Sequence, residues 1–162
     1  MICAYTVSKK SGLYVKVICI HGRFADKEKT MEKILLVEDE KSISMVLKAY
    51  LKKAGYTVEQ AFDGRQAVSM FKEGKPNLVI LDLMLPDMDG LTVLQWIRGQ
   101  NHCPVVILSA LNSEDYKAKG LNAGADDYIC KPFVGEEVVE RVRKVFNRRG
   151  GLSDEENSHC GR

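Results

Sequence analysis

Short apolar runs recur along the chain, and each stops at a charged or hydroxyl residue. Residues 34–37 end at Glu38-Asp39-Glu40, residues 78–81 at Asp82, residues 105–108 at Ser109-Ala110, and Tyr128-Ile129-Cys130 at Lys131-Pro132. Runs of this length read as strands, and uniformly apolar ones as strands buried on both faces. Residues 57–61 make a further strand with more polar character. Between the runs the pattern takes on a helical period. Ile43, Val46, Leu47, Tyr50, Leu51 and Ala54 fall on one face, as do Ala67, Met70 and Phe71 within 64–73, and Leu91, Leu94 and Ile97 within 90–98. Val138, Val139, Val142, Val145 and Phe146 mark a last helix, whose head, Val134-Gly135, lacks a polar cap and so predicts a frayed first turn. Residues 113–122 open on a capping Ser but carry a thin apolar stripe broken by Gly120, which predicts the loosest helix.

Five strands alternating with five helices predict an α/β domain, a doubly wound parallel sheet covered on both sides. The first, third and fourth strands are apolar throughout and belong in the centre, while the second and fifth carry polar residues and belong at the edges. The order 2-1-3-4-5 follows, with the C-terminal ends of strands one and three adjacent at the topological switch, where open sheets bind ligands.

Outside this region the regularity stops. Residues 1–30 read as an extension, disordered or not native to the protein, with a strand at 13–20 as the alternative. Residues 31–149 form the domain, and residues 150–162 read as a linker or tail rich in Gly, Ser, Asp and Glu.

Composition narrows the functional classes. At 162 residues and 45% hydrophobic content the chain is one domain's worth with an ordinary core. No run approaches the roughly 18 apolar residues of a spanning helix, so no membrane partner is expected. Residues 31–149 carry 17 basic and 17 acidic side chains, a balance that argues against a nucleic-acid surface on this domain. Five cysteines, Cys3, Cys19, Cys103, Cys130 and Cys160, are odd in number and lack a C-x-x-C pair, as expected of reduced thiols in a cytoplasmic protein.

The predicted sheet brings Glu38, Asp39, Asp82, Ser109 and Lys131 to one rim. Crowded carboxylates repel, and a raised pKa or a bound cation relieves them. Oxygen ligands without His or Cys favour Mg²⁺, with Mn²⁺ as an alternative. A carboxylate beside such a cation can attack phosphorus, while a hydroxyl and a lysine hold the phosphoryl oxygens.

The motifs Ile34-Leu35-Leu36-Val37-Glu38-Asp39-Glu40, Leu81-Asp82-Leu83-Met84-Leu85-Pro86-Asp87-Met88-Asp89-Gly90, Ile107-Leu108-Ser109-Ala110 and Gly124-Ala125-Asp126-Asp127-Tyr128-Ile129-Cys130-Lys131-Pro132-Phe133 closely resemble the receiver domains of two-component response regulators over residues 33–147. The resemblance implies a flavodoxin-like, CheY-like fold and a phosphorelay function. It makes Asp82 the phosphoacceptor of a sensor histidine kinase. Asp39, Asp82 and the backbone carbonyl of Met84 become Mg²⁺ ligands, Glu38 helping through water. Ser109 becomes the switch hydroxyl, Lys131 the phosphate partner, and Tyr128 the switch aromatic that turns inward on phosphorylation. Such a domain is not an enzyme, catalysing only its own phosphorylation and dephosphorylation.

The Gly-Ala-Asp-Asp-Tyr segment and basic last helix look most like the OmpR/PhoB subfamily. Its receivers dimerise through helix 4, strand 5 and helix 5 and precede a winged-helix DNA-binding domain. Lys119, Asp126, Asp127, Arg141 and Arg143 are then candidates for cross-dimer ion pairs, the plain alternative being a solvated charged face. A stand-alone receiver acting through protein contacts is the other functional reading. Lys41, Ser44 and Met45 are the expected kinase-facing surface.

Two rival classes lack their signatures. A dehalogenase-type phosphatase needs a second acid where Met84 stands, and no nucleotide-binding glycine motif is present. An interaction scaffold with an inactive site remains the third, separable by Mg²⁺-dependent binding of beryllofluoride.

Overall fold

The computed structural model describes residues 5–6, 16–17 and 31–150. The chain divides into two compact units, Met1–Thr30 and Met31–Arg162. In the first, β1 (Tyr5–Thr6) pairs antiparallel with β2 (Lys16–Val17). The remainder of the readings made for 1–30, including most of the alternative strand at 13–20, and the tail from 151 onward lie outside the described residues.

The second unit is a five-stranded parallel sheet in the order β4-β3-β5-β6-β7, the expected 2-1-3-4-5 arrangement. The strands are β3 (Lys33–Val37), β4 (Thr57–Ala61), β5 (Leu78–Leu81), β6 (Val105–Ser109) and β7 (Asp127–Cys130), alternating with α1 (Lys41–Lys53), α2 (Gly64–Gly74), α3 (Gly90–Gln100), α4 (Glu114–Asn122) and α5 (Gly135–Gly150). Because side chains alternate along a strand, each central strand feeds two cores. Ile34, Leu36, Leu78, Ile80, Val106 and Leu108 meet Leu47 and Leu51 of α1 and Val138, Val142 and Val145 of α5. Leu35, Val37, Val79, Leu81, Val105 and Ile107 meet Ala67 and Phe71 of α2 and Val93, Leu94 and Ile97 of α3. Full burial of one such aliphatic side chain is worth about 1.5–3 kcal/mol, which makes the central strands the fixed frame of the domain.

Several side chains depart from the sequence pattern. Val46 is 54% exposed, because Ser44, Leu47 and Leu51 form the buried stripe of α1. Val93 is fully buried in α3, whereas Leu91 is only half-buried. Ser44, read as kinase-facing, is buried instead: Gln60 of β4 donates to its hydroxyl at 2.7 Å and accepts from Lys48 at 2.6 Å, so a polar bridge joins α1 to the edge strand. The first turn of α5 is closed without a side-chain cap, since the Val134 carbonyl accepts from the N–H groups of Glu137 and Val138 and Gly135 packs on the Tyr50 ring.

The expectation of a weakly packed α4 matches the structure. Ser113 caps it by accepting from the Tyr116 N–H at 3.4 Å, and only Gly120 among its residues is buried. Among the described residues no helix is long and apolar enough to cross a membrane.

Parallel register aligns Val37 with Leu81 and Leu81 with Ile107, so the residues that follow these strands emerge at one rim. The loop after β5 folds back at once: Gly90 N–H donates to the Leu83 carbonyl at 2.9 Å, and a Cβ at Gly90 would lie 2.4 Å from the Asp82 carbonyl oxygen. Backbone cannot yield as a flexible side chain does. Gly90→Ala is therefore expected to cost about 1–3 kcal/mol, the range for overpacking. Urea unfolding checks this, and an unchanged midpoint contradicts the tight turn.

Candidate functional site

Burial is the first property of the site. Asp82 is 3% exposed at the C-terminal end of β5, Glu38 is 1% exposed after β3, and Ser109 is fully buried at the end of β6, whereas Asp39 faces solvent. Two buried carboxylates need a counter-charge, and Lys131 supplies it from the end of β7. Its Nζ lies 2.6 Å from Asp82 Oδ2, donates to Glu38 Oε1 at 3.1 Å, and makes an ion pair with Glu38 Oε2 at 2.8 Å. The other Asp82 oxygen, Oδ1, accepts from the Met84 N–H at 2.9 Å.

Glu38, Asp39 and Asp82 each place a carboxylate oxygen within 4.8 Å of the others. Glu38 Oε2 is buried and has no hydrogen bond despite its nearby lysine. An all-oxygen donor set in which one buried carboxylate oxygen has an ion pair but no well-aligned hydrogen bond suits a hard divalent cation.

Electrostatics follow the geometry. Burial raises the Glu38 pKa above the ordinary glutamate value, and the Lys131 hydrogen bond and charge offset this only in part. Burial works against the charge of Lys131, yet its hydrogen bonds to Asp82 and Glu38 outweigh that and hold its pKa above the ordinary lysine value.

Tyr128 meets the sequence reading differently. Its ring is already inside the protein, 4% exposed, with its hydroxyl donating to the Leu111 carbonyl at 2.5 Å. The ring thus occupies the inward position of the expected switch. The absence of a side chain at Gly120 makes this possible: a Cβ there would stand 2.6 Å from Ile107 and 3.2 Å from the Tyr128 ring. Burial raises the pKa of the Tyr128 hydroxyl, with the Ser109 hydroxyl acting in the opposite direction. Ser109 Oγ itself accepts from the Leu111 N–H at 3.3 Å.

Residues 34–143 match the family described as the response regulator receiver domain. The chain belongs to that family. It is 44% identical over 126 residues to a probable transcriptional regulator, ycf27, of Porphyridium aerugineum, covering 78% of this chain and 52% of that protein. This receiver chain spans about half the length of the curated relatives it matches. Among solved structures it resembles the receiver domain of the Francisella response regulator 1452, with 36% identity and a TM-score of 0.70 over 73% of this chain and 98% of that one. The chemotaxis response regulator CheY4 of Vibrio cholerae is 32% identical, with a TM-score of 0.68 over 72% of this chain and 99% of that one. The receiver fold is therefore CheY-like, and its place is in two-component signalling.

Of the charged residues considered for dimerisation, Asp126, Asp127 and Arg141 are paired within the chain. Asp126 pairs with Arg98 and Arg149, each at 3.0 Å, and Asp127 pairs with Arg141 at 3.1 Å. Lys119 stands over the Tyr116 ring, 5.2 Å from its centroid. Arg143 borders a groove between α1 and α5 with Tyr50 and Lys53, and so does not share a face with Arg141 and Asp127. Two residues along a helix is about 200° of rotation, which accounts for the separation.

Two contributions went unread in the sequence. Arg98 forks to the carbonyls of Gly124 and Cys103 as well as to Asp126, joining α3 to the start of β7. Asp87 accepts from the N–H groups of Gly64 at 2.7 Å and Arg65 at 2.9 Å, tying the loop after Asp82 to the head of α2. The Gly64 N–H above all holds the Asp87 carboxyl below the ordinary aspartate range. Both contacts join segments far apart in sequence, and no local spacing signals them.

An acid whose folded pKa exceeds its unfolded value contributes stability that is fully present below the unfolded value and is lost as pH rises through the folded one. Without divalent cations, Glu38→Gln should therefore gain stability relative to the parent chain as pH rises from about 4 to about 7. Urea unfolding across that interval checks the sign, and a flat or reversed difference contradicts the burial penalty at Glu38.

Proposed function

We propose that this receiver accepts a phosphoryl group from a phosphohistidine of a sensor histidine kinase onto Asp82, with Mg²⁺ or Mn²⁺ as cofactor, and thereby regulates transcription. The observation that carries this reading is the setting of Asp82: a buried carboxylate at a strand end, 2.6 Å from a lysine amine and grouped with two further acids.

In the transfer, an Asp82 oxygen attacks phosphorus. The bond from phosphorus to the histidine nitrogen breaks and its electron pair returns to the imidazole, leaving an acyl phosphate on Asp82. Glu38, Asp39, Asp82 and the Met84 backbone carbonyl would hold the divalent cation, which when bound withdraws charge from the oxygens around phosphorus. Lys131 leaves Asp82 and pairs with one phosphoryl oxygen, and the Ser109 hydroxyl donates to another. The domain is the substrate of this chemistry rather than an enzyme acting on other molecules.

The added charge biases the loosely packed α4 and the Ser109–Leu111–Tyr128 contact, altering a homodimer surface built from α4, β7 and α5. Cross-dimer ion pairs of Asp126, Asp127, Arg141 and Lys119 would replace the pairs made within the chain. The pairs within the chain are half-buried, so the cross-dimer pairs must match their geometry closely to replace them. Transcriptional output rests on the relatives described as probable transcriptional regulators; a winged-helix output domain and a cytoplasmic location are what the OmpR/PhoB resemblance implies.

Labelling by acetyl phosphate tests the reading. The parent chain should take up phosphate only with Mg²⁺ or Mn²⁺, and Asp82→Asn should abolish uptake; label retained in that variant means a different nucleophile. Met84 is 57% exposed and Leu111 half-buried, and apolar neighbours hold an attacking water poorly. The phosphoryl group should accordingly outlast a dephosphorylation half-time of seconds.

A further inference from the structure

The acid cluster is assembled from two chain segments, and one side chain braces them against a common support. Glu38 and Asp39 follow β3, and the Glu38 N–H donates to the Ala61 carbonyl at 3.0 Å, fixing this half to the end of β4. Asp82 and the Met84 backbone belong to the loop after β5, whose base is fixed by Gly90 N–H on the Leu83 carbonyl and by the bridge between Met84 and Asp89. The tip of that loop is fixed by Asp87. Its two oxygens accept from Gly64 and Arg65, the first residues of α2, which begins three residues after Ala61.

We infer that Asp87 is a positioning residue for the divalent cation and the phosphoryl transfer: through the head of α2 it sets the distance between the Asp82–Met84 loop and the Glu38–Asp39 pair. This rests on the phosphoacceptor reading of Asp82 and adds a function for a carboxylate that touches neither cation nor phosphate. The physical requirement is strict, because Mg²⁺ accepts oxygen ligands only near about 2.0–2.1 Å in close to octahedral arrangement. A loop free to shift by a fraction of an ångström loses affinity for the ion before it loses its fold.

Helix capping is the competing explanation, and the structure supplies its control. Asp63 also caps α2, accepting from the Gln66 N–H at 2.7 Å, but it belongs to the β4–α2 junction and makes no bond to the loop after β5. Asp63→Ala therefore removes a cap and leaves the brace, while Asp87→Ala removes both a cap and the brace.

The experiment titrates the full chain with Mn²⁺, followed by electron paramagnetic resonance with Mg²⁺ competition, and measures acetyl phosphate labelling against Mg²⁺ concentration. Thermal unfolding is recorded for each variant. Asp87→Ala should weaken cation binding by about tenfold, the loss typical of supporting groups around metal ligands. Its labelling rate should fall at low Mg²⁺ and recover at saturating Mg²⁺. Asp87→Asn, keeping one acceptor oxygen, should recover part of the affinity. Asp63→Ala should lower the unfolding temperature with cation affinity unchanged. Parental affinity in Asp87→Ala, or an equal loss in Asp63→Ala, overturns the positioning role while leaving the phosphoacceptor reading intact. A parent chain that neither binds Mn²⁺ nor takes label overturns that reading, and this inference with it.

Discussion

The site depends on one lysine neutralising two acids that the fold has removed from water. Glu38 and Asp82 sit at the rim of a sheet whose central strands are apolar on both faces, so solvent cannot stabilise their charges. Lys131 reaches both. Its position comes from β7, the edge strand farthest from β4, so pairing across the whole sheet is needed to bring lysine and acids together. An arrangement of this kind is poised rather than inert, because an incoming anion offers Lys131 a stronger partner and a cation offers the acids one.

Around this centre the supports are graded. β5 and β6 are fully buried, as is β3 from Ile34 to Val37, and together they set the rim. The loop after β5 is held at its base by backbone and at its tip by a carboxylate. The segment from Ser109 through α4 is held least, by the Leu111–Tyr128 contact and the small footprint of Gly120. Rigidity thus falls from Asp82 toward α4, an ordering that suits the proposed switch.

Sequence pattern was enough for the strand order and for the convergence of Glu38, Asp39, Asp82, Ser109 and Lys131, because both follow from burial on two faces and from parallel connections. It failed where side-chain partners come from elsewhere. Ser44, expected on the kinase-facing surface of the first helix, is buried because Gln60 on the neighbouring strand gives its hydroxyl a partner. Val46 fits the helical stripe by count and loses its place to the buried Ser44. The inward Tyr128 and the brace made by Asp87 depend on contacts between distant segments, which periodicity does not encode. Arg141 and Arg143 are both dimer candidates by resemblance, and rotation about the helix puts them on different faces.

The exposure of nearly all of α4 has an evolutionary consequence. Substitutions at fully solvated positions usually change stability by no more than about 0.5 kcal/mol, so residues 114–119 can drift with little penalty to folding. The buried part of the rim has no such latitude, since a change at Glu38, Asp82 or Lys131 strands a buried charge. The exposed face of this helix can therefore accept new side chains while the buried rim keeps its arrangement, so sequence change is easily absorbed at one place and costly at the other.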